Sequence, residues 1–213
     1  TSGGRIKSLI NKKTNCDLVF WSPGEGGWLD DRGTKTMALY NYKLLKKDKE
    51  KIEFVFSVLD DTGLFWEKEI TVYDRLPVIN VKYKITNRKP SKVEYEHMVR
   101  NFVIPGGNDF GDEDYILYHN SEGVQKIKWR EIWLNKKTSS WYVNDVIGKW
   151  QGIFDEKNKL GCIFIFKDIG KLYYWAKSGK WGTAEWIFPK KIINPKEEIV
   201  FEGCMPIESM AKR

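Results

Sequence analysis

No stretch of this sequence stays apolar for the roughly 20 residues that a membrane-spanning helix needs, so no membrane partner is expected. Cysteine is scarce. Cys16, Cys162 and Cys204 are odd in number and show no Cys-x-x-Cys spacing, which argues against a zinc site and against a complete disulfide framework. A reducing, cytoplasmic setting is the simplest expectation. Cys162 lies in the apolar run Cys162-Ile163-Phe164-Ile165-Phe166 and is expected to be buried as a small hydrophobe. Histidine is scarcer still. Only His97 and His119 are present, so any chemistry near neutral pH must use one of them or a tuned carboxylate. The sequence also lacks G-x-S-x-G, H-E-x-x-H, a Walker loop and a G-x-G-x-x-G after a strand, which removes support for most enzyme classes.

The formal charge is +7, but the basic residues do not gather. Lys12-Lys13, Lys46-Lys47, Lys136-Lys137 and Lys190-Lys191 sit beside turn residues, where lysine solvates loops and guards strand edges. Nucleic acid is therefore not an expected partner. Gln125 and Gln151 are the only glutamines against abundant Lys, Glu and Ile, a balance typical of thermophile proteins.

What is present is strand signal from end to end. Period-two alternation and short apolar runs recur between Gly, Asn, Asp and Lys clusters. They predict fifteen strands, among them Lys35–Leu45, Lys51–Leu59, Leu64–Tyr73, Val78–Asn87, Val93–Phe102, Val124–Leu134, Trp150–Asp155 and Leu160–Lys167. Asp155-Glu156-Lys157-Asn158-Lys159 reads as a hairpin connection and Ser178-Gly179-Lys180 as a turn. Two loops, Ser22–Gly27 and Pro105–Asp112, are long enough to carry function. No capped three-four apolar stripe appears, and no linker divides the chain. The expected fold is all-β: one large antiparallel β-sandwich over residues 1–213, of supersandwich size, with little helix. Because Gly3-Gly4-Arg5-Ile6 reads like the middle of a structure, a fragment lacking its N-terminal strands is also an expectation.

Aromatic residues make up 15% of the chain, with 10 tryptophans, more than core packing usually requires. An indole face accepts the C–H face of a pyranose, while charged and amide groups at a rim bind its hydroxyls. Trp28 beside Asp30-Asp31, Trp129 beside Arg130-Glu131 and Trp181 in a glycine-flanked turn are expected to be exposed platforms. Trp129 and Trp133 would share one side of a regular strand, as would Trp175 and Tyr173. Core packing is the competing reading for each. Arg100, Asp30, Asp31 and His119 are candidate rim groups. Alternation along Glu94–Phe102 puts His97 with Tyr95 and Val99 on one face and Arg100 with Glu94 and Glu96 on the other. His97 then reads either as a donor to a sugar or as a structural histidine. No cofactor is expected. The alternative is calcium held by Asp30, Asp31, Asp109, Asp112, Glu113 and Asp114.

Four segments together resemble the galactose mutarotase-like group of β-supersandwich carbohydrate proteins. Gly3-Gly4-Arg5-Ile6-Lys7-Ser8-Leu9, followed by Gly26-Gly27-Trp28-Leu29-Asp30-Asp31, is similar to its glycine-rich early strand and loop. Val81–Asn87 is similar to a strand that precedes a histidine by about ten residues, where His97 stands, and Ile193–Glu198 to the turn before the last strand. In the aldose 1-epimerases of that group a histidine and a glutamate share the proton transfers of ring opening. The resemblance implies His97 as acid and Glu185 as base if this chain is an enzyme. Met98-Val99-Arg100-Asn101-Phe102 departs from the family's aromatic run, and His119 does not align as its second histidine. A carbohydrate-binding sandwich without chemistry is therefore the first reading, with sugar or oligosaccharide as partner. An epimerase-like enzyme is the second. A noncatalytic scaffold or interaction domain of a larger carbohydrate-active enzyme is the third.

Overall fold

A computed structural model describes residues 4–12, 15–22, 25–31, 39–104, 111–134, 140–177 and 181–209. Within them the chain runs β1 (Ile10–Asn11), β2 (Cys16–Asp17), β3 (Trp21–Ser22), β4 (Glu25–Gly26), β5 (Asp30–Asp31), β6 (Asn41–Lys47), β7 (Lys51–Leu59), β8 (Leu64–Tyr73), β9 (Val78–Asn87), β10 (Val93–Tyr95) and β11 (Met98–Val103). It continues as β12 (Tyr115–Asn120), β13 (Gly123–Lys128), α1 (Trp129–Trp133), β14 (Ser140–Val143), β15 (Trp150–Asp155), β16 (Leu160–Phe166), β17 (Lys171–Lys177), β18 (Trp181–Ile187), β19 (Lys191–Ile193) and β20 (Glu198–Ser209). The predicted bounds of β7, β8, β9 and β15 coincide with the observed ones. So does the hairpin that joins β15 to β16, whose register closes at Asp155 opposite Leu160.

These strands form because their side chains alternate. Leu64, Trp66, Lys68 and Ile70 of β8 point inward and are buried, as are Ile79, Val81, Tyr83 and Ile85 of β9, while the residues between them are partly exposed. All long ladders are antiparallel. One sheet has nine strands in the order β13-β12-β15-β16-β20-β9-β8-β7-β6, and a second has five in the order β14-β17-β18-β11-β5. The protein is thus an all-β sandwich with the core between two antiparallel sheets. Phe164 of the larger sheet sits at the centre of that core, its ring edge-on to Trp186 at 5.2 Å and to Trp28 at 5.6 Å. Truncating a fully buried aromatic such as Trp186 would cost about 3–5 kcal/mol. Cys162 is buried in the same core, as expected, and desolvation pushes its thiol up to about 12.

Two predicted strands are interrupted. Val124–Leu134 is strand only as far as Lys128 and then turns into α1, which buries Trp129 and Ile132 at the i, i+3 spacing of a helix face. The Trp129 ring lies against Gly182, where a Cβ would come within 2.1 Å of it, so only glycine admits the indole there. Val93–Phe102 divides at Glu96-His97: β10 pairs with β19, and β11 pairs with β18 in the five-stranded sheet. The chain changes partner at this point, which no local periodicity encodes. Residues 35–38, the expected turn at 178–180 and most of the expected loop at 105–112 lie outside the described residues.

Candidate functional site

The five-stranded sheet has an inner face against the core and an outer face. Cross-strand register fixes which side chains share each face. Asp30 stands opposite Arg100, Arg100 opposite Glu185, Glu185 opposite Tyr173, and Tyr173 opposite Tyr142. These five residues form one row across β5, β11, β18, β17 and β14 on the outer face. The neighbouring row is Phe102, Thr183, Trp175 and Ser140. Strand β5 supplies only two residues, and their side chains diverge: Asp30 joins the outer row, Asp31 points into the sandwich.

The polar end of the row is tightly organised. Arg100 directs Nε and Nη2 to Asp30 Oδ2 at 2.9 and 2.5 Å. The Asp30 carboxylate is fully buried and its Oδ1 accepts no hydrogen bond among the described residues, while the arginine side chain remains 19% exposed. The guanidinium carbon lies 4.8 Å from the centre of the Phe102 ring, a cation–π contact that holds it flat against the sheet. Thr183 donates to Glu185 Oε1 at 3.0 Å, and both residues are buried although they belong to the outer face. At the other end the rings of Tyr142 and Tyr173 meet at 4.5 Å, and Tyr142 is 59% exposed. The row therefore passes from a desolvated carboxylate–guanidinium group to an accessible aromatic surface.

Several expected site residues meet here. Asp30, Arg100, Glu185 and Trp175 share the face, and Trp181 borders it, stacked on Phe20 at 4.5 Å and edge-on to Trp175 at 5.4 Å. Others are placed elsewhere. Trp28, Trp129 and Trp181, the platforms expected to be exposed, are all buried. Trp28 spends its indole N–H on Phe102 O at 2.9 Å inside the core, Trp129 fills the space above Gly182, and Trp181 is covered by Phe20. Trp133 lies in α1 rather than a strand and packs partly buried against the core. His119 stands opposite Val124 in the nine-stranded sheet, whose other face contributes Tyr118 and Ile116 to the core. It does not approach the row.

His97 is also absent from the row. Tyr95, His97 and Val99 share one buried face, as alternation predicts. The imidazole lies between Phe188 and Phe201 at 5.5 and 5.3 Å, with Tyr83 at 4.4 Å and Trp66 at 5.3 Å. Its Nδ1 shares a hydrogen bond with Tyr95 Oη at 2.9 Å. Burial, with a smaller contribution from the Lys68 charge, lowers its pKa to about 3. The imidazole is therefore neutral and enclosed by aromatic rings, apart from the outer row.

Asp31 belongs to the interior. It accepts from Lys68 Nζ at 2.7 Å and Tyr40 Oη at 3.1 Å. Burial raises its pKa, against the pull of the adjacent ammonium and of the Tyr83 and Tyr40 hydroxyls. The other acidic residues considered for calcium are engaged separately. Asp112 pairs with Arg130, Glu113 with Lys128, and Asp114 accepts the backbone N–H groups of Gly111 and Glu156. Among the described residues no group of three or more metal-ligating side chains gathers. Asp109 lies outside them.

Sequence reasoning misses Thr183 and Tyr142, and finds Tyr173 only as a neighbour of Trp175. Thr183 could have been found, since it lies two residues before Glu185 and so shares its face. The tyrosine pair depends on cross-strand register, which only the paired sheet reveals.

Comparison with known proteins bears on the whole arrangement. A galactose mutarotase related enzyme from Lactobacillus acidophilus superimposes with a TM-score of 0.70 at 11% identity, covering 100% of this chain and 94% of that one. The fold is that of the galactose mutarotase-like proteins. A galactose mutarotase-like protein from Clostridium acetobutylicum gives a TM-score of 0.68 at 11% identity over 98% of this chain and 90% of its own. A TPR-domain containing protein from Parabacteroides distasonis reaches 0.77 at 10% identity. It matches all of this chain, which spans only 45% of that structure. No family model and no curated protein matches the sequence.

Proposed function

We propose that this galactose mutarotase-like sandwich binds a sugar or oligosaccharide on the outer face of its five-stranded sheet. The observation that carries the reading is the single row in which the buried carboxylates of Asp30 and Glu185 flank the partly exposed Arg100 and lead to the Tyr142–Tyr173 pair. An accessible aromatic surface beside convergent polar groups is what a pyranose requires, since its C–H face packs on a ring while its hydroxyls are donors and acceptors. The platform in this reading is Tyr142 with Tyr173, bordered by Trp175, rather than the buried tryptophans.

Binding without chemistry is favoured over anomer interconversion by the place of the imidazoles. The chain has two histidines; one is sealed in the core and the other lies on the nine-stranded sheet, so neither can share a proton relay with Glu185. The match to part of a longer TPR-domain containing protein supports a role as one domain of a larger assembly.

Calorimetric titration with a panel of mono- and oligosaccharides tests the proposal. Saturable binding is expected, weakened about fivefold by Tyr142→Ala, since an aromatic contact is worth about 1 kcal/mol, and more strongly by Arg100→Ala. Binding that both variants leave intact would move the site elsewhere. Aldose anomer interconversion above the spontaneous rate would overturn the noncatalytic part of the reading.

A further inference from the structure

Lysine is out of place in the inward row of β8, where Leu64, Trp66 and Ile70 are its companions, yet Lys68 is 1% exposed. An apolar residue of similar length would often serve stability as well or better than a buried ion pair. What the ammonium does there is local. It donates to Leu29 O at 2.8 Å and to Asp31 Oδ2 at 2.7 Å, gripping the chain on both sides of Asp30. The rings of Tyr40 and Tyr83 lie 5.5 and 5.7 Å from Nζ, and the Tyr40 hydroxyl donates to the same Asp31 oxygen.

The segment held in this way is one that needs holding. Strand β5 is two residues long and, among the described residues, pairs only with Val99 and Arg100, too short a ladder to fix its own orientation. Leu29, just before it, has φ of +59°, the left-handed region that a branched, non-glycine residue rarely occupies and that persists only where surrounding contacts impose it. Such contacts are made on both sides of the residue: Leu29 N–H donates to Asn101 Oδ1 at 3.0 Å, and Leu29 O accepts from Lys68. Consecutive strand residues face opposite ways. Fixing Asp31 inward therefore turns Asp30 outward.

We propose that Lys68 is a positioning residue, which from inside the sandwich aims the Asp30 carboxylate at Arg100 and so sets the guanidinium on the outer face. Its value for ligand recognition rests on the reading of that face as the binding face; the positioning itself does not. Asp30 Oδ2 takes both arginine donors, which leaves the outward edge of the guanidinium as the part a ligand meets. A carboxylate free to swing would release that edge to any rotamer.

The test uses the full chain labelled with ¹⁵N and follows the Arg100 Nε–H, identified by its loss in Arg100→Lys, with no sugar present. In the native protein this proton, bonded to Asp30, is expected to exchange slowly with water. In Lys68→Met it should exchange at least about tenfold faster, while the Phe166 amide, bonded to Lys149 O in the nine-stranded sheet three strands from β8, keeps its native rate. An unchanged Arg100 signal in a folded Lys68→Met protein overturns the proposal. If that variant does not fold, the double replacement Lys68→Met/Asp31→Leu removes both buried charges, and the same comparison decides. Failure of every sugar to bind the native protein would remove the binding proposal and leave this readout untouched.

Discussion

The two outer faces of the sandwich carry similar residues in different solvent. On the nine-stranded sheet, Lys84 pairs with Glu69 at 2.5 Å, and Lys82 and Lys167 reach Glu202 at 3.7 and 3.2 Å. These line or border a shallow groove of about 480 Å³, with their charged groups still in contact with water. On the five-stranded sheet Arg100 meets Asp30 at the same distance as Lys84 meets Glu69, but the carboxylate is fully buried. Ion pairs in water are worth little and tolerate many geometries, whereas a desolvated pair must keep its geometry or leave a charge uncompensated. The difference marks the smaller sheet as the face on which side-chain positions are imposed.

The strongest way to break the comparison is to remove what supports β5 from within. Asp31→Ala leaves the Lys68 ammonium buried without its carboxylate, and a loss of about 3–5 kcal/mol is expected, read as a drop in the urea midpoint at unchanged slope. Glu69→Ala, on the outer face of the nine-stranded sheet, is the matched control. If the two variants lose the same amount, burial does not set the Lys68–Asp31 pair apart from an ion pair in contact with water.

A smaller effect, acting between the sheets, comes from His97. Its folded pKa near 3 lies below the ordinary 6.5, so below pH 6.5 the unfolded chain binds a proton that the folded one refuses. The stability this contributes is fully present above pH 6.5 and is lost as pH falls toward 3. Between pH 7 and pH 4 the loss should be about 3 kcal/mol. His97→Phe keeps a ring between Phe188 and Phe201 and should flatten that part of the profile. The comparison of slopes isolates His97 from the carboxylates, and parallel profiles for the two proteins would show that the imidazole is not held neutral.

Much of this arrangement was legible in sequence where it is local. Leu64–Tyr73 and Val78–Asn87 alternate so regularly that their bounds and inner faces follow directly, and the placing of His97 with Tyr95 and Val99 on one face follows from the same period, though not the burial of that face. The interruption at Glu96-His97 and the turn into α1 after Lys128 were not legible, because each is decided by a partner distant in the chain: β19 and β18 in one case, Gly182 and Asp114 in the other. The same limit applies to the site. Asp30, Arg100 and Glu185 could be named as residues of the right chemistry, yet nothing in their spacing places them in one row. That requires β11 between β5 and β18. Nor could exposure be read for the tryptophans, since Arg130 and Glu131 beside Trp129 are exposed while it is not, and Asp30 and Asp31 beside Trp28 are themselves buried.

The smallest predicted effect is the one that sharpens the comparison most. Lys84 and Glu69 are each between a quarter and a third exposed, so Lys84→Ala should change stability by less than about 1 kcal/mol. Whatever change remains should vanish near 1 M salt, where the screening length falls to about 3 Å. Asp30→Ala should behave differently. Its effect should survive at the same salt concentration, because ions cannot enter between a buried carboxylate and a guanidinium packed on Phe102. Denaturation of the two variants at low and high salt therefore yields two differences, and which of them salt erases decides the matter. Salt that erases both effects would mean that Asp30 is reached by solvent ions after all, and that the smaller sheet presents an ordinary charged surface. Salt that erases only the first would place the Arg100–Asp30 pair out of reach of solvent ions, fixed before any ligand arrives.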